Sequence, residues 1–158
     1  MTALYIFDLD GTLALCDHRR PILEDLSNPN RWDDFYRACV DDKPNRPIIN
    51  ILEALCAYAD EPADFLIFSG RSELVRPGTI FWLQHNAYVG FHHFNSRLFM
   101  RPLNDFTPDD VLKHQFYETV LNDEDKKRLE CVFDDRQKVV DMWRSMGVTC
   151  LQVAPGDF

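Results

Sequence analysis

The run Leu4-Tyr5-Ile6-Phe7-Asp8-Leu9-Asp10-Gly11-Thr12-Leu13 decides how the rest of the chain is read. Leu4 to Phe7 is apolar and β-prone without a polar break, the pattern of a strand buried on both faces inside a parallel sheet. Two carboxylates end it. Side chains alternate along a strand, so Asp8 and Asp10 project to one side of its carboxyl end, and Gly11 allows a sharp turn behind them. Charged, unpaired carboxylates there would carry a large desolvation penalty, so a cation is expected between them. Mg²⁺, which takes a few carboxylates together with water and phosphate oxygens, suits that place. A solvated Asp-x-Asp-Gly turn after an ordinary strand accounts for the bare four residues equally well.

The same punctuation returns further along. Phe65-Leu66-Ile67-Phe68 reads as a second buried strand ending in Ser69-Gly70-Arg71, and Glu130-Cys131-Val132-Phe133 as another ending in Asp134-Asp135-Arg136. Shorter strands are predicted at Arg97 to Met100 and at Val148 to Val153. Trp32, Phe35, Tyr36 and Cys39 at helical spacing predict a short amphipathic helix over Arg31 to Val40. Further helices are predicted from Ile48 to Tyr58, opened by Pro47, and from Pro77 to His85. Thr107 is expected to cap the next, with Pro108 first, Val111, Leu112, Phe116 and Leu121 inward, and Lys113 near its amino end. A last helix carries the stripe Val139, Val140, Trp143 and Met146 and stops at Gly147. Strands alternating with helices predict an α/β fold, a three-layer Rossmann-like parallel sheet. Ligands bind such sheets at the carboxyl ends of the strands, where all three polar clusters fall.

A length of 158 residues suits a single domain, residues 1–158, with a full hydrophobic core. Apolar residues make up 46% and charged ones 27%, ordinary for a globular protein, and the formal net charge is −9. Such acidity argues against holding long nucleic acid by nonspecific phosphate neutralisation, so any nucleic-acid contact must be local. The five cysteines are odd in number and widely spaced, with no C-x-x-C pair, and read as reduced cytosolic thiols. No apolar run is long enough to span a membrane, and the N-terminus enters the first strand with no basic region or cleavage site. A cytoplasmic location, in a bacterium or in a phage's host, is the expectation.

Phe7-Asp8-Leu9-Asp10-Gly11-Thr12-Leu13, Ser69-Gly70-Arg71, Lys113 and Asp134-Asp135 resemble, in the same order, the motifs of the haloacid dehalogenase superfamily. The resemblance implies a small cap inserted at about residues 14–46 and an accessible site. It implies that Asp8 attacks phosphorus and becomes an aspartyl-phosphate. Asp10 would protonate the leaving oxygen and later deprotonate water, work served by a raised pKa, with its main-chain carbonyl on the metal. Ser69 and backbone N–H groups beside it, Gly70 among them, would hold the phosphoryl oxygens, and Lys113 would neutralise their charge. Asp134 and Asp135 would join Asp8 and Asp10 in the Mg²⁺ site. Adjacent strand-end residues point opposite ways, so one contacts the ion directly; the resemblance favours Asp135, with Asp134 in a supporting hydrogen bond. Taken singly, Ser69-Gly70-Arg71 is a turn, Lys113 a solvated helix lysine, Asp109 a first-turn acid and Asp134-Asp135 a cap.

Asp134 to Arg144, with Gly147-Val148 and the terminal Gln152-Val153-Ala154-Pro155-Gly156-Asp157-Phe158, is further similar to the 3′-phosphatase domains of phage polynucleotide kinase/phosphatases. That resemblance implies substrate contacts by Arg19, Arg71 and Asp109, the last placed four residues before Lys113. No G-x-x-x-x-G-K-[ST] stretch occurs, so this chain is not expected to phosphorylate 5′ ends itself, and a separate kinase or ligase is the partner to look for. The reading is an Mg²⁺-dependent phosphatase of DNA or RNA 3′ ends. A nucleotidase acting on free mononucleotides is the rival, and a non-catalytic partner of a repair kinase or ligase the third reading. Phe91-His92-His93-Phe94, with Arg97 and Arg101, either stacks bases or packs as core with surface histidines, the second being favoured. Nothing in the sequence sets an oligomeric state.

Overall fold

In the computed structural model, which describes residues 1–156, β1 (Leu4–Phe7) is the middle strand of a five-stranded sheet. Asp157 and Phe158, which close the C-terminal resemblance, lie outside the described residues. After β1 come β2 (Ala14–Leu15), α1 (Arg20–Glu24), α2 (Arg31–Arg37), β3 (Lys43–Pro44), α3 (Arg46–Cys56), β4 (Asp64–Ser72) and α4 (Arg76–Asn86). Then follow β5 (Leu98–Arg101), α5 (Asp109–Val120), α6 (Asp123–Arg128), β6 (Leu129–Arg136), α7 (Gln137–Ser145) and β7 (Cys150–Gly156). Strand order is β5-β4-β1-β6-β7, with every pairing parallel.

Alternation along β1 explains its unbroken hydrophobicity. Leu4 and Ile6 join Val132, Val139, Val140 and Trp143 on one face of the sheet. Phe7 joins Ile49, Leu52, Phe65, Trp82 and Leu83 on the other, so α3 and α4 cover one side and α5 and α7 the opposite one. The α/β three-layer architecture is therefore the one expected. Its register matters more for chemistry: Phe7 pairs with Ile67 and with Phe133, which sets Asp8 level with Phe68 and with Asp134 at the strand ends. The Asp8 amide donates to the Phe133 carbonyl at 2.8 Å, fixing that level.

Several local expectations change. Pro108, not Thr107, occupies the cap position of α5, without a side-chain cap bond. Val111 faces outward, whereas Leu112 and Leu121 are buried. β7 begins at Cys150 because Gly147, at φ 77°, folds the chain back and the Val148 amide donates to the Trp143 carbonyl. β4 and β6 each continue through their polar clusters. The wholly polar α6 has no apolar period to announce it; its signal is the capping box between Asn122 and Asp125.

Residues 14–46 form a small excursion pinched at its base by the antiparallel pair β2–β3 and bearing α1 and α2. The expected helix over Arg31 to Val40 stops at Arg37 and continues as a 3-10 turn, Ala38–Asp41, which delivers Asp42 inward. Among the described residues no helix is long and apolar enough to cross a membrane.

Candidate active site

Three carboxylates meet at the carboxyl edge of the sheet. Asp8 follows β1, Asp134 and Asp135 lie just before the last residue of β6, and one oxygen from each lies within 4.8 Å of the others, all three residues being buried. Gly11 makes the approach possible, since a Cβ there would stand 2.1 Å from Asp135 Oδ2, and its φ of +89° suits glycine. From α5, Lys113 reaches across and donates to Asp8 Oδ1 at 2.5 Å and to Asp134 Oδ2 at 2.7 Å. Asp134 Oδ1 accepts from the Arg136 amide at 3.1 Å, which aims the carboxylate. Both neighbouring aspartates therefore turn an oxygen toward the cluster, where alternation alone would send one away.

Three carboxylates against one ammonium leave surplus negative charge in a place water barely reaches. Burial, and then Asp134 and Asp135, push the Asp8 carboxyl well above its usual range, although Lys113 opposes the shift. Burial and Asp134 push Asp135 up to about 6. Burial disfavours the Lys113 ammonium, but Asp134 and Asp8 outweigh it and raise its pKa. An all-oxygen group so crowded and so short of positive charge fits a hard divalent cation.

The Asp10 side chain goes elsewhere. It is not among the three clustered carboxylates, and its expected cation turns out to be a pair of guanidinium groups: Arg19 Nη2 donates to Asp10 Oδ1 at 2.5 Å and Arg71 Nε at 2.8 Å. Burial would raise the Asp10 pKa, but Arg71 and Arg19 outweigh it and lower it, contrary to the raised value expected for an acid/base. Behind both arginines stands Asp42, which sequence reasoning missed. Its Oδ1 accepts from Arg19 Nε at 2.9 Å and its Oδ2 from Arg71 Nη2 at 2.6 Å. Lone acids in irregular segments carry no signal; burial by a 3-10 turn singles this one out.

Arg19 and Arg71, expected to touch substrate, are fully buried beneath Asp10, and neither lines the cavity above the carboxylates. Ser69 is fully buried too; its Oγ accepts from the Arg71 amide at 3.1 Å, leaving the hydroxyl proton available as a donor. Gly70 lines the cavity, and its carbonyl accepts from Arg101 Nε at 2.9 Å. Asp109 holds Arg101 and Arg136 through its two oxygens, so it positions cations at the cavity wall. Arg101, weighed in the sequence only beside the aromatic run, thus belongs to the site. The run itself lies at the opposite end of the sheet: Phe94 packs on Phe65, Arg97 binds Asp64, and Phe91 is exposed.

The cavity holds about 1030 Å³ and has Asp8, Asp10, Lys113, Asp134 and Asp135 on its lining. Buried acids beside a lysine at parallel strand ends, under an open cavity, are equipped for transfer of a charged group such as phosphoryl.

Known proteins agree with that chemistry. A profile of the polynucleotide kinase PNKP phosphatase domain matches residues 2–158. A protein of Autographa californica nuclear polyhedrosis virus, provisionally named a bifunctional polynucleotide kinase/RNA ligase, is 29% identical over 141 residues, 89% of this chain and 18% of its own length. A solved chain of the Pnkp1/Rnl/Hen1 RNA repair complex superposes with a TM-score of 0.79 at 27% identity, over 100% of this chain and 44% of that one. A haloacid dehalogenase-like hydrolase from Streptococcus pneumoniae shares the fold, with a TM-score of 0.60 at 14% identity over 96% of this chain and 84% of that one. This chain spans less than half the length of the first two relatives. On the match over residues 2–158, the chain belongs to the family of the polynucleotide kinase PNKP phosphatase domain and is a haloacid dehalogenase-like phosphatase.

Proposed function

We propose that the chain removes 3′-phosphates from polynucleotide ends, through an aspartyl-phosphate on Asp8. The observation that carries this is the contact of Lys113 with both Asp8 and Asp134 beside Asp135, at the floor of a cavity in a PNKP-type phosphatase domain. An Asp8 oxygen attacks phosphorus as the P–O bond to the 3′ oxygen breaks. The leaving oxygen takes a proton from Asp10, and Asp10 recovers one from the water that later cleaves the acyl-phosphate. Asp10 starts ionised between its arginines. An arriving phosphate dianion adds like charge beside it, which raises its affinity for a proton, and Asp10 takes that proton from solvent before it serves as the acid. Lys113 and the Ser69 hydroxyl serve the phosphoryl oxygens, while Asp42 keeps both arginines in place.

Mg²⁺ would be held by Asp8, Asp134, Asp135 and the Asp10 main-chain carbonyl, supplying positive charge to the phosphoryl group. A stability experiment tests the site without turnover. A carboxyl whose folded pKa is raised binds more protons folded than unfolded, so its contribution favours folding at low pH and fades as pH climbs through the folded value. For Asp135 that window runs from the ordinary 3.8 up to about 6. Asp10, with its lowered value, acts in the opposite sense, but only below 3.8. Metal-free protein should therefore lose on the order of 5 °C in Tm from pH 4 to pH 7, and millimolar Mg²⁺ should abolish that slope at the upper end. A slope indifferent to Mg²⁺ would remove the cation from this site.

The names of the relatives include an RNA ligase and an RNA repair complex, which supports RNA as well as DNA ends and an end-joining or kinase partner. Rates on RNA and DNA oligonucleotides bearing a 3′-phosphate, on the 5′-phosphates, and on 3′- and 5′-mononucleotides test the assignment. The 3′-phosphorylated oligonucleotides are expected to be hydrolysed fastest. Preference for 5′-mononucleotides would make the chain a nucleotidase.

A further inference from the structure

The insertion helix α2 does not bury the front of its aromatic stripe. Cys39, in the 3-10 turn that follows it, reaches the core, but Trp32 is 47% exposed and stands on the lining of the cavity with Phe35 and Tyr36. Their rings form one cluster, Trp32 lying 6.2 Å from both Phe35 and Tyr36 between ring centroids. The cluster is graded from half-buried to exposed: Tyr36 Oη donates to the Gly70 carbonyl at 3.4 Å, next to Ser69, and Trp32 is its exposed member.

The same cavity is lined by Phe106, 85% exposed at the tip of the loop between β5 and α5. That loop is braced. The Arg101 guanidinium donates to the Thr107 carbonyl, the Thr107 amide to Asp105 Oδ1 at 2.6 Å, and the Asp105 amide to the Pro102 carbonyl at 3.3 Å, while Asn104 takes a left-handed turn at φ 59°. Large aromatic side chains held out in water on ordered backbone mark a place where a ligand covers them.

The chemistry of that ligand follows from what lies between. The floor takes a phosphoryl group, Arg101, Arg136 and Lys138 line the wall, and flat apolar faces stand above, a combination matched by a nucleotide and not by a sugar phosphate. We propose that Trp32 and Phe106 form a stacking subsite for the base of the terminal nucleotide, so that the enzyme selects ends that still carry a base over baseless 3′-phosphates. The subsite rests on the 3′-phosphatase reading. Stacking has no hydrogen-bond code, so all four bases should be accepted.

The test compares one oligonucleotide ending in a 3′-phosphorylated nucleoside with the same strand ending in a 3′-phosphorylated tetrahydrofuran abasic analogue, which has no aldehyde and so cannot lose its phosphate by β-elimination. Unaltered protein should prefer the base-bearing end by about tenfold or more in kcat/KM. Trp32→Ala and Phe106→Ala should each erase most of that preference while leaving the abasic rate within about twofold, and Trp32→Phe should restore it. The exposed Phe106 can be truncated without disturbing the core, which keeps the test open if Trp32→Ala misfolds. No preference in the unaltered protein, or equal losses on both ends in the Phe106 variant, would overturn the subsite and leave the phosphatase reading intact. Failure to hydrolyse either end would overturn both.

Discussion

Asp8→Asn is expected to lower turnover of an oligonucleotide 3′-phosphate by roughly 10⁴-fold or more, because in the proposed mechanism it removes the nucleophile that takes the phosphoryl group. The exchange is nearly isosteric, and the site tells what else should happen. Lys113 keeps its bond to Asp134 at 2.7 Å, while one of the three crowded carboxylates becomes neutral. Surplus negative charge in the metal-free protein falls, so its Tm at neutral pH should hold or rise. Loss of activity without loss of stability separates chemistry from misfolding. Trapping supplies the second readout: acid quench of the parent protein during turnover of a substrate with ³²P in its 3′-phosphate should leave a protein-bound, hydroxylamine-labile label, the mark of an acyl-phosphate, and Asp8→Asn should leave none. Activity of the variant within tenfold of the parent would exclude a covalent role for this residue.

What the sequence disclosed about the site was its strand ends, because a buried parallel strand that stops at charged residues has a period and a boundary to read. Asp8, Lys113, Asp134 and Asp135 all sit on regular elements, or one residue beyond them, and the register of β1 with β6 brings the acids together. Long-range pairing was invisible. That Asp10 would face arginines instead of the other three carboxylates depends on Asp42, 32 residues downstream (Asp10 to Asp42) and delivered by a turn with no apolar pattern. The exposed Trp32 was misleading in a useful way. Its helical spacing with Cys39 is real, but the stripe passes from core to cavity, and spacing alone does not distinguish packing against protein from packing against a ligand. The cap position taken by Pro108 follows local geometry finer than a residue preference reports.

Lys113→Met is expected to be the most damaging change to the metal-free fold. Its side chain is 4% exposed and its ammonium sits between Asp8 and Asp134, whose side chains are 6% and 1% exposed, so neither can turn to water for compensation. Removing one partner of a buried ion pair costs about 3–5 kcal/mol, because the penalty is that of the stranded charge and not the small net worth of the pair. For a chain of 158 residues that corresponds to a fall of roughly 10 °C in Tm. The turnover number should fall by about 10²–10³, the usual consequence of deleting a fixed charge at developing negative oxygen. Two further measurements identify the cause. Mg²⁺ should raise the variant's Tm more than the parent's, since the cation then replaces a larger deficit of positive charge. The double variant Asp8→Asn/Lys113→Met should be more stable than Lys113→Met alone, a non-additivity that two independent packing defects would not produce. If the Tm of Lys113→Met stayed within 2 °C of the parent's, or the double variant were the less stable, the acids would have to be balanced by something other than this lysine, and the electrostatic account of the site would fail with it.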